Sequence, residues 1–357
     1  MFLKSLNLVN FRNYSQLNLD FDHRPTIFVG NNAAGKSNIL ESIYLLSTTK
    51  SQRVDQEEEL IKQGENFAKI EAFLDQGDTE LLVILNKITE EVFFKKKLLI
   101  NGIGKRGVDF IGNLPAVIFY PSDINMVTGS PSLRRWHLDL ALVQVDPEYK
   151  KALTLYEQFL TSRNRVLKRI REGQGKIDEL NYWTDELIKN GLIVSAKRAS
   201  FFEFINSLEK TLGEFRFEYL KSEVTEDRLK ETNGREIAAA ATLIGPHRDD
   251  FGIFLEEKNM AHFGSRGEQR MATLTFKLSQ LEYMAVHPAS SGKILDKRPI
   301  LLLDEIFSEL DPAHRAIVAS IANKQQTIIA TVELENIPQE FLDSARILRV
   351  EDGKIIS

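Results

Sequence analysis

Pro25-Thr-Ile-Phe-Val29, then Gly30-Asn31-Asn32-Ala33-Ala34-Gly35-Lys36-Ser37, then Asn38-Ile-Leu-Glu-Ser-Ile-Tyr-Leu-Leu46 decide the fold. The first block is a short apolar strand. The second is a complete G-x-x-x-x-G-K-[ST] phosphate loop, and the third a helix expected to be buried on one side. Strand, glycine loop and helix in this order form an α/β unit whose loop N–H groups and helix N-terminus face an anion. Gly30 and Gly35 let the backbone close around phosphate oxygens without a Cβ in the way. Lys36 reaches toward the β- and γ-phosphates of a nucleotide, and the Ser37 hydroxyl is of the type that ligates Mg²⁺.

A second apolar strand, Pro299-Ile-Leu-Leu-Leu303, ends in Asp304 and Glu305. In open α/β sheets ligands bind at the carboxyl ends of strands. Asp304 is therefore expected to hold Mg²⁺ through water, and Glu305 to orient or deprotonate the attacking water of phosphoryl transfer. Ser265-Arg266-Gly267-Glu268-Gln269 offers a hydroxyl, a glycine and an amide just ahead of a helix. Such a turn presents donors to phosphate, and a chain with one phosphate loop has little use for a second. A two-fold dimer explains it, each copy's turn meeting the γ-phosphate held by the other copy's loop. An ordinary capped helix start is the alternative.

The remaining composition narrows the class. At 357 residues with 43% hydrophobic and 27% charged side chains, the chain has the make-up of a globular protein of one or two domains. It has no cysteine, which excludes disulfides, thiolate chemistry and cysteine-based zinc sites. The six histidines (His23, His137, His247, His262, His287 and His314) show no metal-ligand spacing. No apolar run is long enough to cross a bilayer, and the start lacks a signal-peptide pattern, so the expected compartment is the cytoplasm. The net charge of -5 confines any nucleic-acid site to a local patch.

Along the chain, strands are expected at 2–9 and 17–21 around the turn Asn10 to Tyr14, then at 68–74, 80–86 and 92–100 as an antiparallel sheet with separators such as Asp75-Gln76-Gly77-Asp78, and at Ala116 to Tyr120. Helical patterning then runs from Ser130-Pro131 to about residue 210, with a break at Gly173-Gln-Gly175. A strand at 215–221, a short helix from Gly234 to Ala241, a strand from Phe251 to Leu255 and an amphipathic helix ending near Val286 follow. The chain closes with a helix from Pro312 to Asn323, a strand at Thr327 to Thr331, and Ala345 to Val350 with a turn at Asp352-Gly353. This divides into an α/β lobe of residues 1–120 and 242–357, made of mixed β-sheets with helices, and an inserted, mainly helical lobe of residues 121–241.

These motifs in this order resemble the ABC-type ATPase head, and Asn10-Phe-Arg-Asn-Tyr14 resembles its SMC-like branch. Within that branch, Gly30 to Asn38, Phe119-Tyr-Pro-Ser-Asp123, Gly129 to Arg135, Gly245-Pro-His-Arg-Asp-Asp250 and Gly264 to Arg270 are similar to the RecF family of bacterial recombination mediators, over essentially the whole chain. The resemblance implies an ATP-dependent clamp that binds duplex DNA near single-strand gaps or junctions. It also implies an ATP-dependent homodimer, a slow DNA-stimulated ATPase, and work with RecR and RecO to load RecA in cytoplasm and nucleoid. By residue it implies Arg12 and Asn13 beside the nucleotide, Arg53 by its phosphates, Ser265, Gly267 and Gln269 acting in trans, and Asp311 at the dimer seam. A transporter ATPase subunit would need a glutamine loop and a switch histidine, where this chain has Phe119 to Asp123 and Thr331-Val332-Glu333. Glu333 is the candidate for the aspartate usual in RecF-like chains. A metabolic phosphoryl-transfer enzyme would need an acceptor pocket that no residues suggest.

The DNA patch is expected on the helical lobe. Lys150, Lys151, Arg163, Arg165, Lys168, Arg169, Arg171 and Lys176 face only Glu157 and Glu172 between residues 150 and 176. Arg165, Lys168, Arg169 and Arg171 share a broad helix face suited to backbone phosphates. Lys95, Lys96 and Lys97 are a second, smaller candidate.

Overall fold

The computed structural model describes residues 2–75, 78–88, 93–287 and 298–356. The chain forms two compact units, one of Met1–Asp123 with Gln280–Ser357 and one of Ile124–Ser279.

The first unit holds two six-stranded sheets. One is antiparallel, in the order Tyr14–Asp20, Leu3–Phe11, Phe67–Leu74, Thr79–Ile88, Phe93–Ile100, Ile103–Lys105. Its strands alternate as a half-buried sheet requires: Ala68, Ile70, Ala72 and Leu74 are buried and the residues between them are not. The first two strands reach further than their apolar patterns suggest, which narrows the turn between them to Arg12 and Asn13, with Arg12 at φ +54°. Gln76 and Gly77 of the expected separator lie outside the described residues.

The other sheet runs Lys354–Ile356, Arg346–Glu351, Thr26–Val29, Thr327–Thr331, Ile300–Asp304, Ala116–Phe119. All its pairings are parallel except the C-terminal hairpin. That hairpin closes through Asp352 and Gly353, both at positive φ, the geometry that favours an Asp-Gly turn. Ile300–Asp304 and Thr327–Thr331 are buried at every position, as central parallel strands are. The helix that follows the phosphate loop, Lys36–Thr48, packs on strands of both sheets. It is therefore buried from Ile39 through Thr48 rather than on one side.

The second unit is built on the helices Pro131–Val145, Pro147–Arg171, Asn181–Ser207 and Glu226–Ala239, with the start of Arg266–Val286. The side chains of Ser130 and Asp146 cap the first two, each followed by a proline in the first turn. The Gly173–Gly175 break separates the second helix from the third. Glu226–Ala239 begins eight residues before Gly234, the glycine at which it was expected to start. Thr225 caps it and buried Leu229 anchors it, so packing overrides a glycine cost of about 1 kcal/mol. A three-stranded sheet, Lys258–Asn259, Asp250–Leu255, Phe215–Leu220, completes the unit.

Residues 242–279 are thus knit into this second unit and not the first. The knot is Arg198, only 1% exposed. It donates to the Tyr149 hydroxyl (2.9 Å), the Pro246 carbonyl (2.7 Å), Asp249 (2.8 Å) and Asp139 (2.8 Å). Asp249 also accepts from the backbone of Ser222, and Arg134 forks onto Asp250. Gly245 sits at φ +119°, where a Cβ would lie 2.4 Å from the Tyr156 hydroxyl. The Gly245-to-Asp250 segment is therefore a buried structural knot. Among the described residues no helix is long and apolar enough to cross a membrane.

Candidate functional site

The phosphate loop leaves the end of Thr26–Val29 and is tightly constrained. A Cβ on Gly30 would lie 2.1 Å from the Val350 carbonyl oxygen, so only glycine passes the terminal hairpin there. Gly35 sits at φ +117° with a Cβ position 2.6 Å from the Asn13 amide, which also excludes a side chain. Lys36 is 4% exposed. Its ammonium donates to the carbonyls of Gly30 (2.8 Å) and Asn31 (3.0 Å) and lies 3.5 Å from a Glu305 oxygen. The charge is thus held against the loop, where burial strengthens it.

Ser37 Oγ donates to Asp304 Oδ1 at 2.9 Å, which brings the loop and the acidic strand end together. Burial pushes the Asp304 carboxyl up to about 6, against the opposing pull of the Ser37 hydrogen bond and the Arg53 charge. Glu305 takes a left-handed backbone, φ +54°, a strained conformation that turns its side chain off the strand line. One of its oxygens accepts from the Val332 N–H at 3.1 Å and the other faces Lys36. Thr331 donates to the Glu333 carbonyl, while the exposed Glu333 carboxylate accepts from Asn336.

The raised Asp304 carboxyl gives a prediction with a definite sign. The folded chain keeps this proton up to about pH 6, whereas the unfolded chain loses it near the ordinary value of 3.8. Between those values the folded state binds more protons, so stability falls as pH rises, and the cost is complete above pH 6. A gap of about two pH units corresponds to about 3 kcal/mol. Asp304→Asn should therefore stabilise the nucleotide-free protein by up to about 3 kcal/mol at pH 7.5, shrinking to about 0.5 kcal/mol at pH 4. Urea denaturation at the two pH values measures it; equal stability of the two proteins at pH 7.5 contradicts the buried-charge assignment.

The loop is braced from behind by the 12–14 turn. Asn13 Nδ2 donates to the Ala34 carbonyl (3.0 Å) and the Tyr14 hydroxyl to the Gly35 carbonyl (3.0 Å). Asn38 donates to Asn13 Oδ1 at 2.8 Å, and Gly353 N–H reaches Ala34 O from the terminal hairpin. Arg12 is committed to Glu41, donating through Nε (2.9 Å) and Nη2 (2.7 Å). Arg53 donates through Nη1 to Asn38 (2.9 Å) and Glu41 (3.0 Å). The family resemblance implies Arg12, Asn13 and Arg53 but does not single out Tyr14 and Glu41. An acid inside an otherwise apolar helix is the signal that Glu41 leaves in the sequence.

The remaining candidates lie elsewhere. Ser265, Gly267 and Gln269 belong to the second unit, at the start of Arg266–Val286. Ser265 and Glu268 form a reciprocal cap, Ser265 N and Oγ donating to the carboxylate (2.7 and 2.8 Å) and Glu268 N donating to Ser265 Oγ (3.3 Å). Gln269 donates to the Met260 carbonyl. Gly267 has ordinary φ, and a Cβ there would meet nothing within 4 Å. Among the described residues of its own chain, nothing requires this glycine. Phe263, two residues before the turn, is 73% exposed. Asp311 caps Pro312–Ala322, accepting from His314 N and Nδ1, which hold its carboxyl below the usual range.

On the helix Pro147–Arg171, Arg165, Lys168, Arg169 and Arg171 are all exposed. Arg169 pairs with Glu179 and Lys168 approaches Glu172, while Arg165 and Arg171 have no partner among the described residues. Arg163, counted in the same basic run, is buried instead and pairs with Glu236 (2.7 Å), Thr242 and Thr184. Lys96 is likewise committed internally, to the Thr49 carbonyl and Glu57, leaving Lys95 and Lys97 outward.

Residues 2–354 match the family described as RecF/RecN/SMC N terminal domain. The chain is 34% identical over 383 residues to the DNA replication and repair protein RecF of Bacillus cytotoxicus, covering 99% of this chain and 98% of the relative. The protein of the same description from Bacillus thuringiensis gives the same identity and coverage. Among solved structures it is similar to the recombination mediator protein RecF of the RecFOR pathway in its ATP form, at 27% identity and TM-score 0.85, covering 99% of this chain and 97% of that one. The ATPrS form gives 27% identity and TM-score 0.83 with the same coverage. A mixed α/β head with a helical insertion, a full phosphate loop facing an Asp-Glu strand end, and matches along the whole length place this chain in the RecF family of SMC-like ATPases.

Proposed function

We infer that this chain is an ATP-dependent DNA-binding clamp of recombinational repair, with slow, DNA-stimulated ATP hydrolysis. The observation that carries the inference is the Ser37–Asp304 hydrogen bond, which joins phosphate loop and acidic strand end in a chain related to RecF over 99% of its length. Lys36 takes the phosphates, with the loop amides from Gly30 to Asn38 around them. Ser37 and Asp304 supply oxygen donors of the kind Mg²⁺ prefers. Glu305, beside Lys36, orients the attacking water. Arg12 and Asn13 brace the nucleotide end of the site, and Arg53 stands by the phosphates.

Ser265, Gly267 and Gln269 act on the nucleotide of a second copy, with Asp311 at the seam. A rigidly capped turn with an unexplained glycine and an exposed Phe263 supports an ATP-dependent homodimer. Partners are duplex DNA next to a single-strand gap or junction, RecR, and functionally RecO and RecA, in the cytoplasm and on the nucleoid. The deciding experiment is an ATPase assay with and without gapped duplex. Stimulation by DNA is expected; equal rates with and without DNA would leave a phosphoryl-transfer or transport ATPase instead.

The DNA contact falls on the exposed stripe of Pro147–Arg171. Backbone contacts add nearly equal terms to the salt dependence of binding, about 0.9 per phosphate. Replacing Arg165, Lys168 and Arg171 with alanine should lower the slope of log affinity against log salt by about two to three, alike for different base sequences. Salt titration by anisotropy with a non-hydrolysable ATP analogue measures this. An unchanged slope moves the contact to Lys95 and Lys97 or to the loops of the ATPase unit.

A further inference from the structure

Glu41 lies in the middle of the helix Lys36–Thr48, among Leu40, Ser42 and Ile43, and its side chain is 1% exposed. An apolar residue would cost nothing there, whereas a carboxylate is costly to bury unless its partners compensate for lost water. Glu41 has an unusual set of partners. Arg12 forks onto it, the Ser51 hydroxyl donates at 2.5 Å, and Arg53 Nη1 donates at 3.0 Å. One carboxylate thus gathers two guanidinium groups, from the turn before the phosphate loop and from the segment after its helix, and leaves a surplus positive charge.

The two arginines are held differently. Arg12 uses Nε and Nη2 on Glu41 and Nη1 on the Glu59 carbonyl, which occupies every nitrogen of its fork. Arg53 uses only Nη1, shared between Glu41 and Asn38, the residue after Ser37. Its Nε and Nη2 have no partner among the described residues, and its side chain is 34% exposed. Its guanidinium carbon lies 5.9 Å from the Tyr120 ring centroid, and its charge reaches Asp304. Arg53 therefore stands at the loop with unused donors, in a position fixed from the buried side by Glu41.

We propose that Glu41 is a positioning residue for the ATPase reaction, holding Arg53 at the phosphate loop so that its free N–H groups meet the negative charge that develops on the phosphate oxygens during hydrolysis. The proposal rests on the ATPase inference above and adds the residue through which the loop helix controls Arg53. Arg12 is the locked counterweight, bridging both carboxylate oxygens and sharing Oε2 with Arg53.

A double-mutant cycle tests it, reading kcat, KM and ATP affinity with gapped DNA present. Arg53→Gln should lower kcat about 100-fold, the cost of removing one preorganised donor, with ATP affinity changed less than about threefold. Glu41→Gln should lower kcat about tenfold or more by misplacing that donor, again with little change in affinity. In the double variant the losses should not multiply, since Glu41 acts through Arg53. Multiplying losses, or a Glu41→Gln protein with normal kcat, would overturn the proposal. Should Glu41→Gln not fold, Glu41→Asp keeps the charge and withdraws it by one methylene. It should fold and show the same selective loss in kcat, and a normal kcat there overturns the proposal equally. Failure of the ATPase inference is separately visible, because wild type itself would then show no DNA-stimulated turnover.

Discussion

Lys36→Met should bind ATP at least about 100-fold more weakly than wild type and hydrolyse none of it. The ammonium is the buried positive charge of the loop, 2.8 and 3.0 Å from two loop carbonyls and 3.5 Å from Glu305. Methionine keeps most of the stem and removes the charge. Charge-assisted hydrogen bonds are worth about 1.5–3 kcal/mol each, so losing those to phosphate suffices for two decades of affinity. Folding should change by only about 1 kcal/mol, because the carbonyls released are on a loop that water can reach. Calorimetric titration with ATP, beside a urea denaturation curve, separates the two effects. Unchanged affinity, or a protein that no longer folds, contradicts the role assigned to the lysine.

Ser265→Arg should bind ATP normally and fail to dimerise. Among the described residues of its own chain, the Ser265 side chain caps a helix with Glu268, and losing that cap costs about 1 kcal/mol. An arginine there adds bulk and charge to an exposed turn whose Gly267 leaves open space. A turn that meets a second copy's phosphates cannot tolerate that bulk, whereas a turn that only caps its helix can. The comparison protein is Glu305→Gln, which keeps an acceptor for the Val332 N–H but loses the group that orients water. With saturating Mg-ATP at micromolar protein, Glu305→Gln should sediment as a dimer and the Ser265→Arg, Glu305→Gln double variant as a monomer. A dimer in both assigns the turn a capping role alone.

Both experiments concern residues that local sequence already exposes, and this marks how far the sequence reaches. The phosphate loop and the Asp304-Glu305 strand end are short segments whose patterns depend on their own spacing, and Ser37 and Asp304 meet in the fold. Their residues are legible before any fold is known. What stays hidden depends on closure of the chain. The Lys36–Thr48 helix looks one-sided until two sheets close on it, and only then does Glu41 become a buried hub. Arg163 belongs to a basic run by sequence, but the helix face it occupies turns inward onto Glu236. The Gly245-to-Asp250 segment has the look of a functional motif, and its specificity comes from Arg198, which binds it from a helix some fifty residues away. The start of Glu226–Ala239 was masked by Gly234, because local propensity carries no information about the packing of Leu229.

The clamp itself is tested most directly by duplex DNA affinity with and without nucleotide. One copy presents a single stripe with few free cations, Arg165 and Arg171 foremost, and each phosphate contact weakens steeply with salt. In the proposed dimer, two copies joined by ATP would present two stripes to one duplex. Anisotropy of a labelled gapped duplex at fixed, near-physiological salt should show binding at least about tenfold tighter with a non-hydrolysable ATP analogue than without it, and a steeper salt slope. Equal affinity and equal slope in the two conditions would contradict a clamp closed by ATP.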